Sequence, residues 1–157
     1  MEKGQLLYEG KAKRLYATED INILFVAYKD SATAFNGEKK AEIDGKGLLN
    51  NRITSLIFGK LSEAQIASHF VKQISETEQL VRKVDIIPIE VVVRNIAAGS
   101  LAKRLGFEEG TPLKRPIVEF YYKDDHLGDP MITTEHIEIL GIATEEEVQA
   151  LYTKALQ

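Results

Sequence analysis

Residues 86–100 read IIPIEVVVRNIAAGS. The apolar, β-branched first half predicts a buried strand that carries Arg94 into a loop of small residues. Ser100 is then predicted to be the N-cap of a short helix that ends at Gly106. An arginine, a hydroxyl and the amides of a helix N-terminus would lie together, and this combination favours a phosphate group. The alternative is a strand end whose arginine pairs with a surface carboxylate.

The composition of the 157-residue chain is that of an ordinary globular protein, with 44% hydrophobic and 28% charged residues. The net charge of −4 provides no basic field, so we expect no nucleic-acid partner. The absence of cysteine excludes disulfides and thiolate zinc sites and fits a reducing compartment. No apolar run approaches the roughly 18 residues of a membrane span, so we expect a cytoplasmic chain without a membrane partner.

The N-terminal segment predicts a small antiparallel sheet. Its apolar, strand-like runs are residues 6–9, 14–17 and 21–28. The first turn contains Gly10, Lys11 and Lys13, and two lysines one residue apart share a face if the strand is regular. Because glycine lets backbone amides approach an anion closely, this turn could bind a phosphate. Exposed lysines that only aid solubility are the alternative.

The middle of the chain predicts a loop, a helix and two more strands. Residues 29–40 show no periodicity and predict a long loop. A helix is predicted from Gly47, and strands are predicted at 68–74 and 79–84. The predicted apolar face of the helix consists of Leu49, Ile53, Leu56, Ile57 and Leu61. Pro88 cannot donate to a strand ladder, which favours a crossing between two substructures, residues 1–84 and 85–157.

The last third of the chain predicts a strand at 117–123 and a polar loop at 124–130. Three aspartates and His126 in this loop could bind Mg²⁺ or place a general base, and an Asx-rich turn is the alternative. The other histidines, His69 and His136, have no metal-ligand spacing and are interpreted as structural or solvated.

A final helix is predicted after Thr144, which forms a capping box with Glu147. This helix has an apolar face and no stop signal before Gln157. We therefore expect that a downstream part of the protein was removed or is not included in this sequence.

Four motifs in this order and spacing resemble the SAICAR synthetase family. They are Tyr8-x-Gly10-Lys11-Ala12-Lys13-x-x-Tyr16, Lys46-Gly47-x-x-Asn50-Asn51, Pro88-x-Glu90-x-x-x-Arg94-Asn95-x-Ala97-Ala98-Gly99-Ser100-Leu101 and His126-x-x-Asp129-Pro130. The resemblance runs from Leu6 to the end of the chain, and the motif around Arg94 is the most specific.

The resemblance implies an α+β fold. Residues 1–84 would form a small antiparallel β-sheet lobe with a helix, which binds ATP in a cleft similar to those of kinases and ATP-grasp enzymes. Residues 85–157 would begin a second α+β lobe that is shorter than in the family.

The implied activity is that of an ATP-dependent carbon–nitrogen ligase of purine biosynthesis. Such an enzyme joins L-aspartate to carboxyaminoimidazole ribonucleotide (CAIR) through an acyl phosphate, with SAICAR, ADP and phosphate as products. ATP and Mg²⁺ are the implied cofactors, since lysines and the metal would offset the repulsion between anionic reactants.

The resemblance also implies roles for individual residues. The implied ATP-binding residues are Gly10, Lys11, Ala12, Lys13, Leu15, Leu24, Val81, Arg82 and Ile86. Arg94 and Ser100 would bind the ribonucleotide phosphate. Lys13, Lys123 and Asp129 are the implied catalytic residues near the transferring phosphoryl group. Residues 31–37 would close over the substrates.

A second family signature, Asp-x-Lys-x-Glu-Phe-Gly, is absent from the sequence. It supplies metal-binding carboxylates, so no metal ligand is assigned, and we expect a partial site with weak or no turnover. A homo-oligomer is compatible with the sequence. One alternative is a kinase-like nucleotide-binding or phosphoryl-transfer module with another substrate. The other is an inactive chain that persists as an oligomerisation partner.

Overall fold

A computed structural model describes residues 1–34 and 39–157. They form two compact units, Met1–Asp85 and Ile86–Gln157. Both units combine helices with antiparallel sheets, so the predicted α+β fold is confirmed. Within the described residues, none of the helices combines the length and the apolar character needed to cross a membrane.

The first unit is built on a five-stranded antiparallel sheet with one long helix. Its elements are β1 (Leu6–Glu9), β2 (Lys13–Ala17), β3 (Ile23–Tyr28), β4 (Ser31–Ala34), β5 (Lys39–Glu42), α1 (Lys46–Glu63), β6 (Phe70–Gln73) and β7 (Glu78–Arg82). The sheet order is β1-β2-β3-β7-β6, and β4 pairs separately with β5. The two central strands, β3 and β7, contribute the buried side chains Phe25, Val26, Leu80 and Val81. Their aromatic and branched side chains suit a pleated, buried surface.

The long loop predicted at residues 29–40 is wrong where the structure describes it. Residues 31–34 and 39–42 form an antiparallel pair, with Ser31 opposite Glu42. These strands contain few apolar residues, so hydrophobic periodicity, which reports side-chain burial, did not reveal their backbone pairing. The remainder of the predicted loop, residues 35–38, lies outside the described residues, and so does part of the segment expected to close over the substrates.

Helix α1 forms where it was predicted, but its apolar face is not the face that packs on the sheet. Leu49, Ile53 and Leu56 are 57%, 54% and 65% exposed, whereas Asn51 is fully buried. The Asn51 amide donates hydrogen bonds to the carbonyls of Ser75, at 2.9 Å, and Glu78, at 3.3 Å. A buried polar side chain therefore connects the helix to the sheet.

The second unit is a three-stranded antiparallel sheet with three helices. Its elements are β8 (Ile89–Ala97), α2 (Gly99–Leu105), β9 (Thr111–Tyr122), β10 (Met131–Ile132), α3 (Thr134–Leu140) and α4 (Glu145–Leu156). The sheet order is β10-β9-β8. Ala97, Leu101 and Ala102 form a buried cluster against which Leu113 and Ile117 pack.

The segment around Arg94 differs from its prediction in two ways. The strand continues through Arg94 to Ala97, with a register irregularity between Arg94 and Ile96, so the predicted loop of small residues is mostly strand. Ser100 is not the N-cap of α2, because the helix begins at Gly99 and Ala98 is its N-cap. Gly99 has a φ of +55°, which glycine adopts readily, and this turn starts the helix before Ser100. The predicted stop at Gly106 is confirmed.

Two capping boxes begin the C-terminal helices. The predicted one, between Thr144 and Glu147, is confirmed, with hydrogen bonds of 2.8 and 3.2 Å. The other was missed because its partner is a histidine and not the usual Glu or Gln: Nδ1 of His136 accepts from the Thr133 amide at 3.1 Å.

Candidate functional site

The turn between β1 and β2 contains the predicted phosphate-binding residues Gly10, Lys11, Ala12 and Lys13. The carbonyls of this turn are held by the segment that follows β3. The Lys29 amide donates to the Ala12 carbonyl at 2.8 Å, and the Ser31 hydroxyl donates to the Lys11 carbonyl at 2.8 Å. These hydrogen bonds hold the backbone of the turn, while the side chains of Lys11 and Lys13 are exposed.

Lys29 holds this turn through its side chain as well. Its ammonium group lies 2.5 Å from Oε1 of Glu9 and 3.4 Å from the Gly10 carbonyl. The hydrogen bonds from Lys29 and Arg14 lower the pKa of the Glu9 carboxyl. Sequence analysis assigned no role to Lys29, whose contact with Gly10 joins residues 19 positions apart.

A residue larger than glycine would disturb the turn at Gly10. A Cβ atom added there would lie 3.0 Å from the ring of Tyr8. This approach is tighter than ordinary van der Waals contact, so the aromatic ring would have to move. The glycine therefore lets the backbone and Tyr8 pack closely beside the turn.

The register of the first sheet places four of the predicted ATP-binding residues on one face. Lys13 and Leu15 are two residues apart on β2, and Leu24 and Val26 are two residues apart on β3. Leu15 is opposite Val26, and Leu24 is opposite Val81. Side chains two residues apart, and directly opposed pairs, point to the same face. Lys13, Leu15, Leu24 and Val81 therefore share a face.

Apart from the turn residues 10–12, two predicted ATP-binding residues lie elsewhere. Arg82 follows Val81 in β7, so its side chain points to the opposite face of the sheet. Ile86 belongs to the second unit and is 83% exposed. The sheet of the first unit thus does not gather all of the residues predicted to border the adenosine.

His69 immediately precedes β6 and packs against helix α1. Its ring packs edge-on against Phe58, with a centroid distance of 5.0 Å. Burial lowers the pKa of His69, and the charge of Lys13 lowers it further. The neutral, packed ring agrees with the structural interpretation of this histidine.

In the second unit, Arg94 belongs to a group of polar residues built by β8, β9 and α2. Its Nε donates to Glu119 Oε2 at 2.6 Å, and its Nη2 lies 3.2 Å from the hydroxyl oxygen of Ser100. Arg94 Nη2 also donates to the Tyr121 hydroxyl at 3.4 Å, and that hydroxyl donates to Glu119 at 2.9 Å. Arg104 forms an ion pair with the other oxygen of Glu119. The predicted pair of Arg94 and Ser100 is therefore in contact.

The arginines of this group stabilise the ionised form of Glu119, and Glu119 stabilises the charged form of Arg94. The Glu119 side chain is only 9% exposed, and burial alone would raise its pKa. Hydrogen bonds from Arg94 and Tyr121 and the charges of both arginines outweigh burial, so the pKa lies below its ordinary value. The hydrogen bond to Glu119 likewise raises the pKa of Arg94. Glu119 and Arg94 are therefore both ionised at neutral pH.

A second polar group contains the predicted catalytic residues Lys123 and Asp129. The Lys123 ammonium lies 2.5 Å from Oδ2 of Asp129 and 3.7 Å from Oε2 of Glu90. The hydrogen bond to Asp129 is the main cause that raises the pKa of Lys123. Lys123 is therefore a cation at neutral pH and is not suited to accept a proton. Together with Asp129 and Glu90, it forms a group with a formal charge of −1.

The register of β8 and β9 puts both polar groups on one face of the second sheet. Glu90 is opposite Tyr121, Val92 is opposite Glu119, and Arg94 is opposite Ile117. Glu90 and Arg94 are four residues apart on one strand, which corresponds to about 13 Å. A polar strip thus runs along this face, from Arg94 at one end to Lys123 and Glu90 at the other.

The acidic loop after β9 is an Asx turn. Oδ1 of Asp124 accepts hydrogen bonds from the amides of His126, at 2.9 Å, and Leu127, at 3.3 Å. Among residues 1–34 and 39–157, no cluster of three or more His, Asp or Glu side chains is arranged to hold a metal ion. The turn interpretation therefore accounts for this loop better than the Mg²⁺ interpretation.

Sequence analysis missed Glu119, Tyr121 and Arg104. A signal was present, because a carboxylate stands inside the apolar run IVEFYY and shares its alternation with Tyr121 and Lys123. A charged residue in a mostly apolar strand requires a partner. Its identity depends on a contact across 25 positions of sequence.

Comparisons with known proteins agree with this architecture. Residues 6–157 match the model of the SAICAR synthetase family. A phosphoribosylaminoimidazole-succinocarboxamide synthase of Lysinibacillus sphaericus is 79% identical over 156 residues, which are 99% of this chain. The chain spans 66% of the length of that relative.

Solved structures show the same likeness. The crystal structure of the corresponding synthase from Ehrlichia chaffeensis superposes with a TM-score of 0.90 at 45% identity, covering 97% of this chain and 64% of the other. A SAICAR synthetase (Type-2) solved in complex with ADP superposes with a TM-score of 0.86 at 47% identity, with the same coverage of both chains. From the match over residues 6–157 and these relatives, we conclude that the chain belongs to the SAICAR synthetase family.

Proposed function

We propose that this protein acts as an ATP-dependent ligase of purine biosynthesis that joins L-aspartate to CAIR in the cytoplasm. The observation that carries the proposal is the polar strip on the second sheet, where Arg94 and Lys123 lie on the same face. Family membership supports the proposal, since the Lysinibacillus sphaericus relative is named as the synthase of this reaction.

The polar strip suits a ribonucleotide that lies along it. Arg94 and Ser100 would bind the phosphate, because a guanidinium and a hydroxyl 3.2 Å apart can both donate to its oxygens. The rest of the nucleotide would extend towards Lys123, about 13 Å along the strand. The imidazole carboxylate would then lie near the Lys123 ammonium, which could donate a hydrogen bond to it.

The proposed chemistry activates this carboxylate. A carboxylate oxygen attacks the γ-phosphorus of ATP, and ADP departs, leaving an acyl phosphate. The aspartate amine then attacks the acyl carbon, phosphate leaves with the bonding electrons of the broken C–O bond, and the nitrogen loses a proton. Protonated Lys123 would stabilise negative charge at the transferring phosphoryl group, with Asp129 holding its ammonium in place.

The turn at Gly10–Lys13 is proposed to bind the ATP phosphates. Its exposed lysines and glycine backbone suit an anion, and Lys29 and Ser31 fix its carbonyls. Leu15, Leu24 and Val81 would provide an apolar surface for the adenine on the same face of the sheet as Lys13. The Type-2 SAICAR synthetase bound to ADP supports nucleotide binding by this family.

The described residues do not provide a group of ligands for magnesium. Asp124 is engaged in a turn, and Asp129 pairs with Lys123. No step of the proposed chemistry is therefore assigned to a metal held by these residues.

The proposal is tested by phosphate release and by binding. Phosphate release from ATP should require both CAIR and L-aspartate. In calorimetric titrations of the 157-residue chain, Arg94→Ala should weaken CAIR binding about ten- to a hundredfold, because a hydrogen bond to a charged group contributes about 1.5–3 kcal/mol. Arg115→Ala, an exposed arginine on β9, is the matched control and should leave binding unchanged.

Two results would overturn the proposal. If wild-type protein does not bind CAIR, the polar strip is not a ribonucleotide site. If phosphate is released at an equal and measurable rate without CAIR and aspartate, the kinase-like alternative is favoured.

A further inference from the structure

Arg94 alone is a poor phosphate receptor because it is already neutralised. Its Nε lies 2.6 Å from Glu119, and the two side chains are only 19% and 9% exposed. A closely paired cation and anion have no net charge, so the pair attracts a phosphate dianion much less than an unpaired arginine would. The site needs a second cation if it is to bind a phosphate tightly.

Arg104 provides that cation. It pairs with Oε1 of Glu119, while Arg94 pairs with Oε2, so one carboxylate lies between two guanidinium groups. Two positive charges and one negative charge leave the cluster with a formal charge of +1. The Arg104 side chain is 32% exposed, so it is accessible at the edge of the cluster.

The helix geometry directs Arg104 to the same place as Ser100. The two residues are four positions apart in α2, and side chains at this spacing lie on one face of a helix. Ser100 contacts Arg94, and Arg104 contacts the carboxylate that binds Arg94. Each guanidinium has five N–H donors, and Glu119 accepts one hydrogen bond from each arginine. Both planar groups can therefore also donate to an anion.

We propose that Arg104 is a second phosphate-binding arginine of the ribonucleotide site, and that Glu119 is the positioning residue that holds both guanidinium groups towards the phosphate. This inference rests on the proposed function, since it concerns the same substrate. It adds one contact residue and one positioning residue to the pair predicted from the sequence.

The competing explanation is that Arg104 only neutralises buried Glu119. The two explanations differ in what they predict for a substrate without a phosphate. A phosphate contact affects CAIR alone, whereas a structural ion pair affects CAIR and its dephosphorylated nucleoside equally.

Calorimetric titration of the full chain with CAIR, and with the matching nucleoside, tests Arg104. Arg104→Ala should weaken CAIR binding about tenfold or more and leave nucleoside binding unchanged. Arg104→Lys should recover part of the loss, because it restores the charge but not the planar fork. Lys103→Ala, the neighbouring cation on α2, is the matched control and should bind CAIR like the wild type.

The Glu119→Gln variant tests whether Glu119 orients the two arginines or only lowers the net charge of the site. Removing a negative charge should tighten phosphate binding if only the net charge matters. It should weaken binding, about tenfold, if the carboxylate is needed to orient the two arginines. Tighter or unchanged CAIR binding by a folded Glu119→Gln variant would therefore overturn the positioning role.

The outcomes also separate this inference from the proposed function. If Arg94→Ala weakens CAIR binding but Arg104→Ala does not, Arg104 is only a counter-ion and the ligase proposal stands. If wild-type protein does not bind CAIR, the ligase proposal and the inference about Arg104 are both wrong. Thermal melting of each variant, followed by circular dichroism, identifies any variant that is unfolded, and Arg104→Lys then provides the comparison for Arg104.

Discussion

At the scale of single residues, Glu119 shows how a mostly apolar strand can carry a charge. Its carboxylate is nearly buried, yet it accepts hydrogen bonds from Arg94 and Tyr121 and pairs with Arg104. Because these partners favour the ionised form, they compensate the cost of burial and lower the pKa of the carboxyl. The same contacts hold the arginines of the proposed phosphate site, so stability and binding depend on one side chain.

The lowered pKa of Glu119 predicts a pH-dependent stability. Ionised Glu119 should stabilise the fold at pH 7, and the contribution should be lost as the pH falls below the ordinary carboxyl value of 4.5 and through the lowered pKa of the folded state. We expect Glu119→Gln to reduce the free energy of unfolding by about 1–3 kcal/mol at pH 7, because it breaks a largely buried hydrogen-bonded pair.

Urea denaturation of wild type and Glu119→Gln between pH 7 and pH 3 measures this effect. The difference between the two proteins should shrink as the solution is acidified. Glu138→Gln, an exposed carboxylate on α3, is the control and should follow the wild type. A difference that stays constant over this range would contradict the assignment.

At the scale of elements, glycine has opposite effects on stability inside a helix and at its C-terminal end. Gly59 lies inside α1, whereas Gly106 ends α2 with a φ of +70°. An added Cβ atom would meet no atom within 4 Å at either position. Backbone conformation, not space, therefore distinguishes the two glycines.

Replacing each glycine by alanine should change stability in opposite directions. Gly59→Ala should stabilise the protein by about 0.5–1 kcal/mol, because alanine loses less conformational freedom in a helix. Gly106→Ala should destabilise it by about 1–2 kcal/mol, because a left-handed conformation strains an L-residue. Chemical denaturation measures both, and an equal sign for the two substitutions would contradict the helix boundaries described above.

At the scale of the whole molecule, each of the two units has its own buried side chains. The first unit buries Phe25 and Leu80 in its sheet, and the second buries Leu101 and Ile137. A change in one unit should therefore be felt mainly within that unit. The assignment of residues 1–84 and 85–157 to separate lobes remains a prediction that this independence can test.

Asn51→Ala provides such a test. The substitution removes hydrogen bonds to the carbonyls of Ser75 and Glu78, so we expect a loss of about 1–3 kcal/mol in the first unit. Hydrogen–deuterium exchange followed by mass spectrometry should show faster exchange in α1, β6 and β7 but not in β8 and β9. Asn50→Ala is the adjacent control, and equal acceleration in both units would argue for a single cooperative domain.

The sequence by itself determined the features that depend on neighbouring residues. It predicted the strands of the first sheet, the helix near Gly47, the stop at Gly106 and the Thr144 capping box. It also identified the family through its motifs, and it paired Arg94 with Ser100. The strands, helix ends and capping box follow from local periodicity and capping, which act over a few residues, whereas the family was identified from the order and spacing of its motifs.

Only the tertiary structure decided which side chains complete the site and which faces are buried. Glu119 reaches Arg94 because antiparallel pairing brings residues 25 positions apart into register, and Arg104 joins them because α2 packs beside that sheet. The exposed face of α1 and the β4–β5 pair depend likewise on which surfaces meet. Long-range packing selects these contacts, and no local pattern of the chain encodes the choice.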